Sequence, residues 1–187
     1  MHQPLKASLR RKLRAHIASG GLIAYATASC YGLGCDPRNP KAIQKLLHIK
    51  SRPRHKGLIL IAHDFDRLAP FVNRLSPAAQ QKAEKKWPGP HTWLMPASPK
   101  TSRFVRGKHE KVAVRVDAHP NAVEVCRVLR MAITSTSLNK AGWQPVRTYQ
   151  EALRQFGSKV MVLPGRISRS KTPSTIQDFI TDRIFRP

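Results

Sequence analysis

Short apolar runs alternate along this chain with segments in which apolar residues return every third or fourth position. Leu9, Leu13 and Ile17 form one stripe between Ser8 and Ser19, with Arg10, Arg11, Lys12 and Arg14 around the rest, as in an amphipathic helix. Ser19-Gly20-Gly21 ends it. Leu22 to Tyr25 reads as a buried strand, and Ala26 to Pro40, holding Gly32, Gly34 and Pro37, as a loop. Lys41 to Lys50 is helical, with Ile43, Leu46 and Leu47 on one side, and Pro53 closes it because the residue before a proline avoids the helical region. Gly57 to Ala62 is a nearly continuous apolar run, suited to a strand covered on both faces. Arg67 to Leu75 reads as a short helix. Ser76-Pro77 starts another that reaches Trp87, with serine as N-cap and proline in the first turn. After the turn Trp87-Pro88-Gly89-Pro90, Thr92 to Ala97 is a strand, Pro99 to Lys111 a basic loop, and Val112 to Val116 a strand. Ala122, Val125, Cys126 and Leu129 mark a helix from Asn121 to Arg130. Ala132 to Ser135 and Val160 to Leu163 are strands, separated by a helix whose start, Thr148 with Glu151, has capping-box spacing. Two short apolar pieces follow, around Thr175-Ile176 and Ile184-Phe185. The sum is one α/β domain over residues 1–187, a twisted mixed sheet flanked by helices.

Composition narrows the classes. A hydrophobic fraction of 41% supports a core and excludes full disorder. No apolar run approaches the roughly 20 residues that span a bilayer, so no membrane partner is expected. Met1 to Ser8 lacks the apolar stretch of a secretory leader. Cys30, Cys35 and Cys126 fit no zinc-binding spacing, and Cys126 reads as a small core residue. A reducing cytoplasm is the expected compartment. Lys and Arg number 34 against 10 Asp and Glu, a net charge of +24. An excess of that size speaks of partners rather than of fold. The polyanion it favours is nucleic acid, RNA above all; an anionic membrane surface is the runner-up, and a basic surface with no partner is the bland alternative.

The phosphate-loop, dinucleotide, zinc-protease and nucleophile-elbow signatures are all absent, and acids are too few to favour paired-carboxylate chemistry. Polar residues instead gather at strand ends and in the turns beside them: Thr27 and Ser29, Lys50 and Arg52, Lys56, Arg115 within an apolar strand, Ser135 to Ser137 with Asn139, and Ser174 with Thr175. Open α/β sheets bind ligands at the carboxyl ends of strands. Hydroxyls, an amide and fixed cations converging there suit a polyphosphate and a carboxylate. Taken singly, each has an ordinary reading as a solvated helix end, an edge-strand residue or a turn.

Their order carries more. Gly21 to Tyr25, Tyr31-Gly32-Leu33-Gly34-Cys35-Asp36-Pro37, Lys50-Ser51-Arg52-Pro53, Lys56 to Leu60, Trp87 to Pro90, Ala113-Val114-Arg115-Val116 with His119-Pro120, Ser135 to Asn139 and Pro173 to Ile176 together resemble the YrdC/TsaC family, the threonylcarbamoyl-AMP synthases, from about Gly20 to Arg186. The resemblance implies a YrdC-like sheet around a large basic concave cavity. It implies a nucleotidyltransferase in which threonine and bicarbonate form a carbamate that attacks the α-phosphate of ATP. Pyrophosphate leaves, and the threonylcarbamoyl-AMP goes to a transferase complex that modifies an adenosine beside the tRNA anticodon. Magnesium is implied with ATP, and no metal ligand in the protein. By the same resemblance, Lys50 and Arg52 are the signature cations expected to act in catalysis. Arg52, Lys56, Asn139, Arg147 and Arg186 are expected to meet ATP, and Thr27, Arg115, Ser137 and Ser174 to meet threonine.

This chain departs from the family pattern in places. Ala26-Thr27-Ala28 stands where the family has Pro-Thr-Glu, Leu138 stands where alanine is usual, and Ile61 where some relatives have histidine. The two alanines are expected to weaken catalysis while sparing the fold, and Leu138 to narrow the pocket. The chain is expected to be the short, single-domain type. A catalytically weakened or inactive RNA-binding protein on the same fold is the alternative, with basic clusters at Arg10 to Arg14, Arg103 to Lys111 and Arg166 to Lys171 as its surface.

Overall fold

A computed structural model describes residues 3–169 and 172–187. Met1, at the start of the segment read for a leader, and Lys171, at the end of one basic cluster, lie outside the described residues. The elements run α1 (Ala7–Ala18), β1 (Ile23–Ala26), β2 (Tyr31–Gly34), α2 (Pro40–Lys50), β3 (Ile59–Ala62), α3 (Pro77–Glu84), β4 (His91–Pro96), α4 (Arg103–Arg106), β5 (Lys111–Val116), α5 (Pro120–Leu129), β6 (Ile133–Ser137), α6 (Tyr149–Phe156), β7 (Met161–Val162), β8 (Thr175–Asp178) and β9 (Ile184–Arg186). The strands form one mixed sheet in the order β7-β1-β2-β6-β3-β5-β4-β8-β9. β3 lies parallel to β5 and antiparallel to β6, while β8 lies parallel to β4.

The central strands send alternate side chains to opposite faces of the sheet, and each face carries its own core. Ala24, Ala26, Leu60, Ala62, Val112 and Val114 join the core under α2, α3, α4 and α6. Ile23, Tyr25, Ile61 and Ile133 join Leu13, Ile17, Ala122, Val125 and Cys126 under α1 and α5. Period-two side chains of a strand covered on both faces produce this partition, so Ile61 is a core residue. α1 and α5 are too few to cover their whole face. They stop at β1, β3 and β6, and the remainder of that face is left open.

The boundaries depart from the sequence reading in four places. Ala26 to Pro40 is not all loop, since Tyr31–Gly34 is a fully buried strand paired with β1 and β6. Its glycines hid it. Gly32 stands opposite Tyr25, where a Cβ would lie 3.2 Å from the Tyr25 ring, and a Cβ on Gly34 would lie 2.4 Å from the Thr134 carbonyl oxygen. Close approach of a neighbouring ring and backbone is what glycine inside a strand permits. Arg67 to Leu75 forms only a 3-10 turn at Ala69–Phe71; Pro70 removes a helical donor there. The helix capped by Ser76 ends at Glu84, short of Trp87. Within the basic loop, Ser102 caps the short α4. Leu138 is fully buried in the core under α2 and α6 and does not line the pocket it was expected to narrow.

Candidate active site

The open part of the sheet face is a cleft of about 1120 Å³. Strands line it mostly through alternate residues: Ile59 from β3, Lys111, Ala113 and Arg115 from β5, Ser135 and Ser137 from β6, Leu94 from β4, and Ile176 and Asp178 from β8. Of the residues singled out in the sequence, Thr27, Arg52, Lys56, Arg115, Ser137, Arg147, Ser174 and Arg186 all line it. They come from segments up to 159 positions apart, and only the fold makes them neighbours.

Thr27 is held by the turn after β1. Its N–H and its Oγ1 both donate to the Cys30 carbonyl, at 3.0 and 2.7 Å. Ser29 and Cys30 line the cleft beside it, and Ala28 does not. Burial raises the pKa of the Cys30 thiol, so it stays protonated.

Arg52 follows the left-handed cap of α2. Its Nε and Nη2 donate to the Gly57 carbonyl at 3.1 and 2.9 Å, which braces the short loop carrying Lys56. That loop rests on the turn after α4, where Lys108 N–H donates to the His55 carbonyl. Gly107, at φ +65°, allows the contact: a Cβ there would stand 2.3 Å from His55 O.

Lys50 and Asn139 are not part of the cleft wall. Lys50 is 5% exposed and stands behind it. Its Nζ donates to the Ser137 and Asn139 carbonyls at 2.6 and 3.2 Å and to Asn139 Oδ1 at 2.8 Å. Asn139 Nδ2 in turn donates to the Lys140 and Trp143 carbonyls. Lys50 thus ties the end of α2 to the turn that presents Ser137. Burial first, and the Arg52 charge second, lower its pKa from the ordinary 10.5 to about 8.

This sets a pH dependence with two opposite signs. As pH rises through about 8, the amine loses a donor and turns a lone pair toward carbonyl oxygens. Affinity for ligands held by the Ser137 turn is expected to fall with that midpoint, and Lys50→Met is expected to lack it. Between about 8 and 10.5 the unfolded chain holds more protons at this position than the folded one, so the Lys50 contribution to stability rises with pH. Ligand titrations and thermal melts across that range check both signs.

The far wall is built by β5, β8 and β9. Arg186 donates through Nε to the Ser174 carbonyl at 2.8 Å and through Nη2 to Ser174 Oγ at 3.1 Å, and Ser174 Oγ meets Thr92 Oγ1 at 3.0 Å. Burial, and then the nearby Arg115, lower the Arg186 pKa. Two guanidiniums near enough to disfavour each other make a space that calls for an anion. Asp178 pairs with Lys111, and its other oxygen accepts the Ile180 and Thr181 N–H groups. Burial works against its charge, but these donors outweigh it and hold the pKa near 2. The sequence reading missed this pair, together with Cys30 and Phe185 in the lining. The spacing of Lys111, Ala113 and Arg115 at every second position was the available signal for the first.

Among the described residues, no three His, Cys, Asp or Glu side chains stand close enough to hold a metal ion. Asp178 is fully engaged, which leaves the exposed Glu110 as the other carboxylate of the lining. The cleft is therefore a set of fixed cations and hydroxyls, suited to a phosphate-bearing ligand together with a carboxylate. Parts of the expected RNA surface are engaged within the fold. Arg10 pairs with Glu124, Arg14 donates to the Val128 carbonyl, and Arg106 donates to the Thr101 and His109 carbonyls. No helix among the described residues is long and apolar enough to cross a membrane.

Comparison with known proteins fits this architecture. A threonylcarbamoyl-AMP synthase of Methylobacillus flagellatus is 50% identical over 177 residues, 95% of this chain and 98% of that protein. A solved structure of a P. abyssi Sua5 variant superposes with a TM-score of 0.90 at 26% identity, over 98% of this chain and 57% of that one. P. abyssi Sua5 complexed with L-threonine gives 0.85, also at 26%, over 94% and 52%. The chain thus spans about half the length of these Sua5 chains. The family model Sua5/YciO/YrdC, described as telomere recombination, matches residues 15–187. The chain belongs to the Sua5/YciO/YrdC family.

Proposed function

We propose that this protein is a threonylcarbamoyl-AMP synthase, a nucleotidyltransferase that forms L-threonylcarbamoyladenylate and pyrophosphate from L-threonine, bicarbonate and ATP. The observation that carries the reading is the convergence of Thr27, Arg52, Lys56, Arg115, Ser137, Arg147, Ser174 and Arg186 on one cleft. The relative of matching length that shares half its residues bears that name.

Threonine would lie with its carboxylate at Arg115 and its hydroxyl among Thr27, Ser137 and Ser174. ATP would lie along Arg52, Lys56, Arg147 and Arg186, with Asn139 and Lys50 holding the turn between the two. Bicarbonate and the threonine amine give a carbamate and water. A carbamate oxygen then attacks the α-phosphorus, and the bond to the bridging oxygen of pyrophosphate breaks. This chemistry requires no protein nucleophile. Fixed cations stabilise charge developing on the phosphoryl oxygens, and holding the two substrates in line supplies much of the remainder. Magnesium enters with ATP as part of the substrate, carried mainly by the phosphates. The product would pass to a transferase complex that modifies the adenosine beside the tRNA anticodon, a cytoplasmic task.

The test is pyrophosphate release from ATP and bicarbonate with and without L-threonine, with the adenylate identified by mass. Threonine-dependent release supports the reading; ATP binding without release defeats it. Ala26→Pro combined with Ala28→Glu is expected to raise turnover. Ala26 is fully buried at the end of β1, where proline would fix the entry to the Thr27 turn. An unchanged rate would show that the alanines cost nothing. A salt-dependent tRNA affinity, measured alongside, checks the RNA contact that the charge suggests.

A further inference from the structure

Arg115 is gripped from inside the protein by a carboxylate that the chain supplies two residues later. Lys111, Ala113 and Arg115 share the cleft face of β5, and Asp117 continues that face one step past the strand end. Asp117 is 6% exposed, and its N–H and both carboxylate oxygens are engaged. Its N–H donates to the Ala62 carbonyl at 2.9 Å, which extends the β3–β5 ladder. Its Oδ1 accepts the His119 N–H at 2.8 Å. Its Oδ2 accepts Arg115 Nε at 2.9 Å and lies 2.6 Å from Arg115 Nη2. On the preceding residue, the Val116 carbonyl accepts the Gly89 N–H at 3.0 Å, so the turn is pinned from both sides.

This grip leaves a defined part of Arg115 available. Two donors on one edge of the guanidinium are spent on Asp117, which fixes the plane of the group. Nη1 has no hydrogen-bond partner among the described residues, and Arg115 lines the cleft. We propose that Asp117 is a positioning residue that aims the Nη1 side of Arg115 at the carboxylate of the amino-acid substrate; this rests on the function proposed above. An unheld arginine has several rotors to freeze when it binds a carboxylate. Asp117 freezes them beforehand, and preorganised donors bind with less entropic loss. The charge of Asp117 opposes the approach of a second carboxylate. It sits on the opposite edge of the guanidinium, however, and Arg186 adds a second positive charge to the same space.

The two effects predict opposite outcomes for one substitution. Asp117→Asn offers one oxygen in place of two, so either Arg115 or the His119 N–H loses its acceptor. If orientation dominates, the threonine KM rises about tenfold or more, a change of the size seen when a hydrogen bond to a charged group is lost. The ATP KM and kcat then stay within about twofold. In an Arg115→Lys background, which has no guanidinium fork to orient, adding Asp117→Asn is expected to raise the threonine KM no further. An unchanged or lower threonine KM overturns the proposal and leaves Asp117 as a counter-charge. So do parallel rises in both KM values, or additive effects in the double variant, because a merely structural role gives those. Asp117→Glu keeps the charge but displaces it. The same selective rise is expected there, which serves if the asparagine variant does not fold. If the unaltered protein makes no threonine-dependent adenylate, the proposed function fails. Calorimetric binding of L-threonine to the unaltered protein and to Asp117→Asn then decides the positioning role separately: weaker binding by the variant supports it, and equal or tighter binding overturns it.

Discussion

Arg52→Ala is expected to lower kcat/KM for ATP by about 100- to 1000-fold, the loss typical when one fixed donor to a developing oxyanion is removed. Two effects combine in this residue. Its guanidinium lines the cleft beside Lys56, where, on the function proposed above, it would meet charge building on the phosphoryl group. Its Nε and Nη2 also hold the Gly57 carbonyl, so alanine would release the loop that carries Lys56. Arg52→Lys restores the charge without the two-pronged brace, and its rate should fall between the two. Steady-state pyrophosphate release at varied ATP checks the order. A loss of less than about tenfold in the alanine variant would move the reacting phosphate away from Arg52.

Gly34→Ala should have the largest effect on stability for the smallest change in composition. The added methyl would stand 2.4 Å from the Thr134 carbonyl oxygen and 3.1 Å from Cε1 of the Tyr25 ring. Neither can yield easily. Thr134 is in β6, paired with β3, and Tyr25 is fully buried with its hydroxyl donating to Ser135 Oγ at 2.9 Å. Overpacking against backbone belongs at the upper end of the usual range, about 2–3 kcal/mol. For a chain of this size that is a fall in Tm of about 5–10 °C. Thermal unfolding measures it, and a fall of under 2 °C would mean that β2 can shift away from β6 at little cost.

The readable and unreadable parts of the fold divide along physical lines. α5 was legible because Ala122, Val125 and Cys126 repeat at the helical period and all are buried. β3 was legible because Leu58 to Ala62 is continuously apolar, and β5 because Val112, Val114 and Val116 recur at the period of a strand. β2 was not, because what qualifies Gly32 and Gly34 for a strand is the space they leave for Tyr25 and Thr134, and that space exists only after folding. The Arg67 to Leu75 segment misled because its apolar spacing outweighed Pro70. In the site, residue types at strand ends pointed to the cleft lining, and the family resemblance ordered them. Neither showed that Lys50 lies behind the wall, because a buried lysine satisfied by carbonyl oxygens looks in sequence like an exposed one. Asp117 was passed over for a similar reason: its partner, two positions earlier, is recognisable only once Asp117 is known to continue the cleft face of β5 beyond Val116.

The pairing of β8 with β4 has a consequence for synthesis of the chain. His91 lies opposite Thr175 and Leu94 opposite Asp178, so one wall of the cleft waits for residues made long after the strand that receives them. By then β1 to β6 can already be paired, while Ser174, Asp178 and Arg186 are still inside the ribosome or just emerging, and with them Phe179 of the larger core. Closing so distant a contact is slow relative to local structure. A nascent chain would therefore display the sheet with its basic face open before it could hold a nucleotide and an amino acid together, and substrate binding would report that synthesis has passed β9.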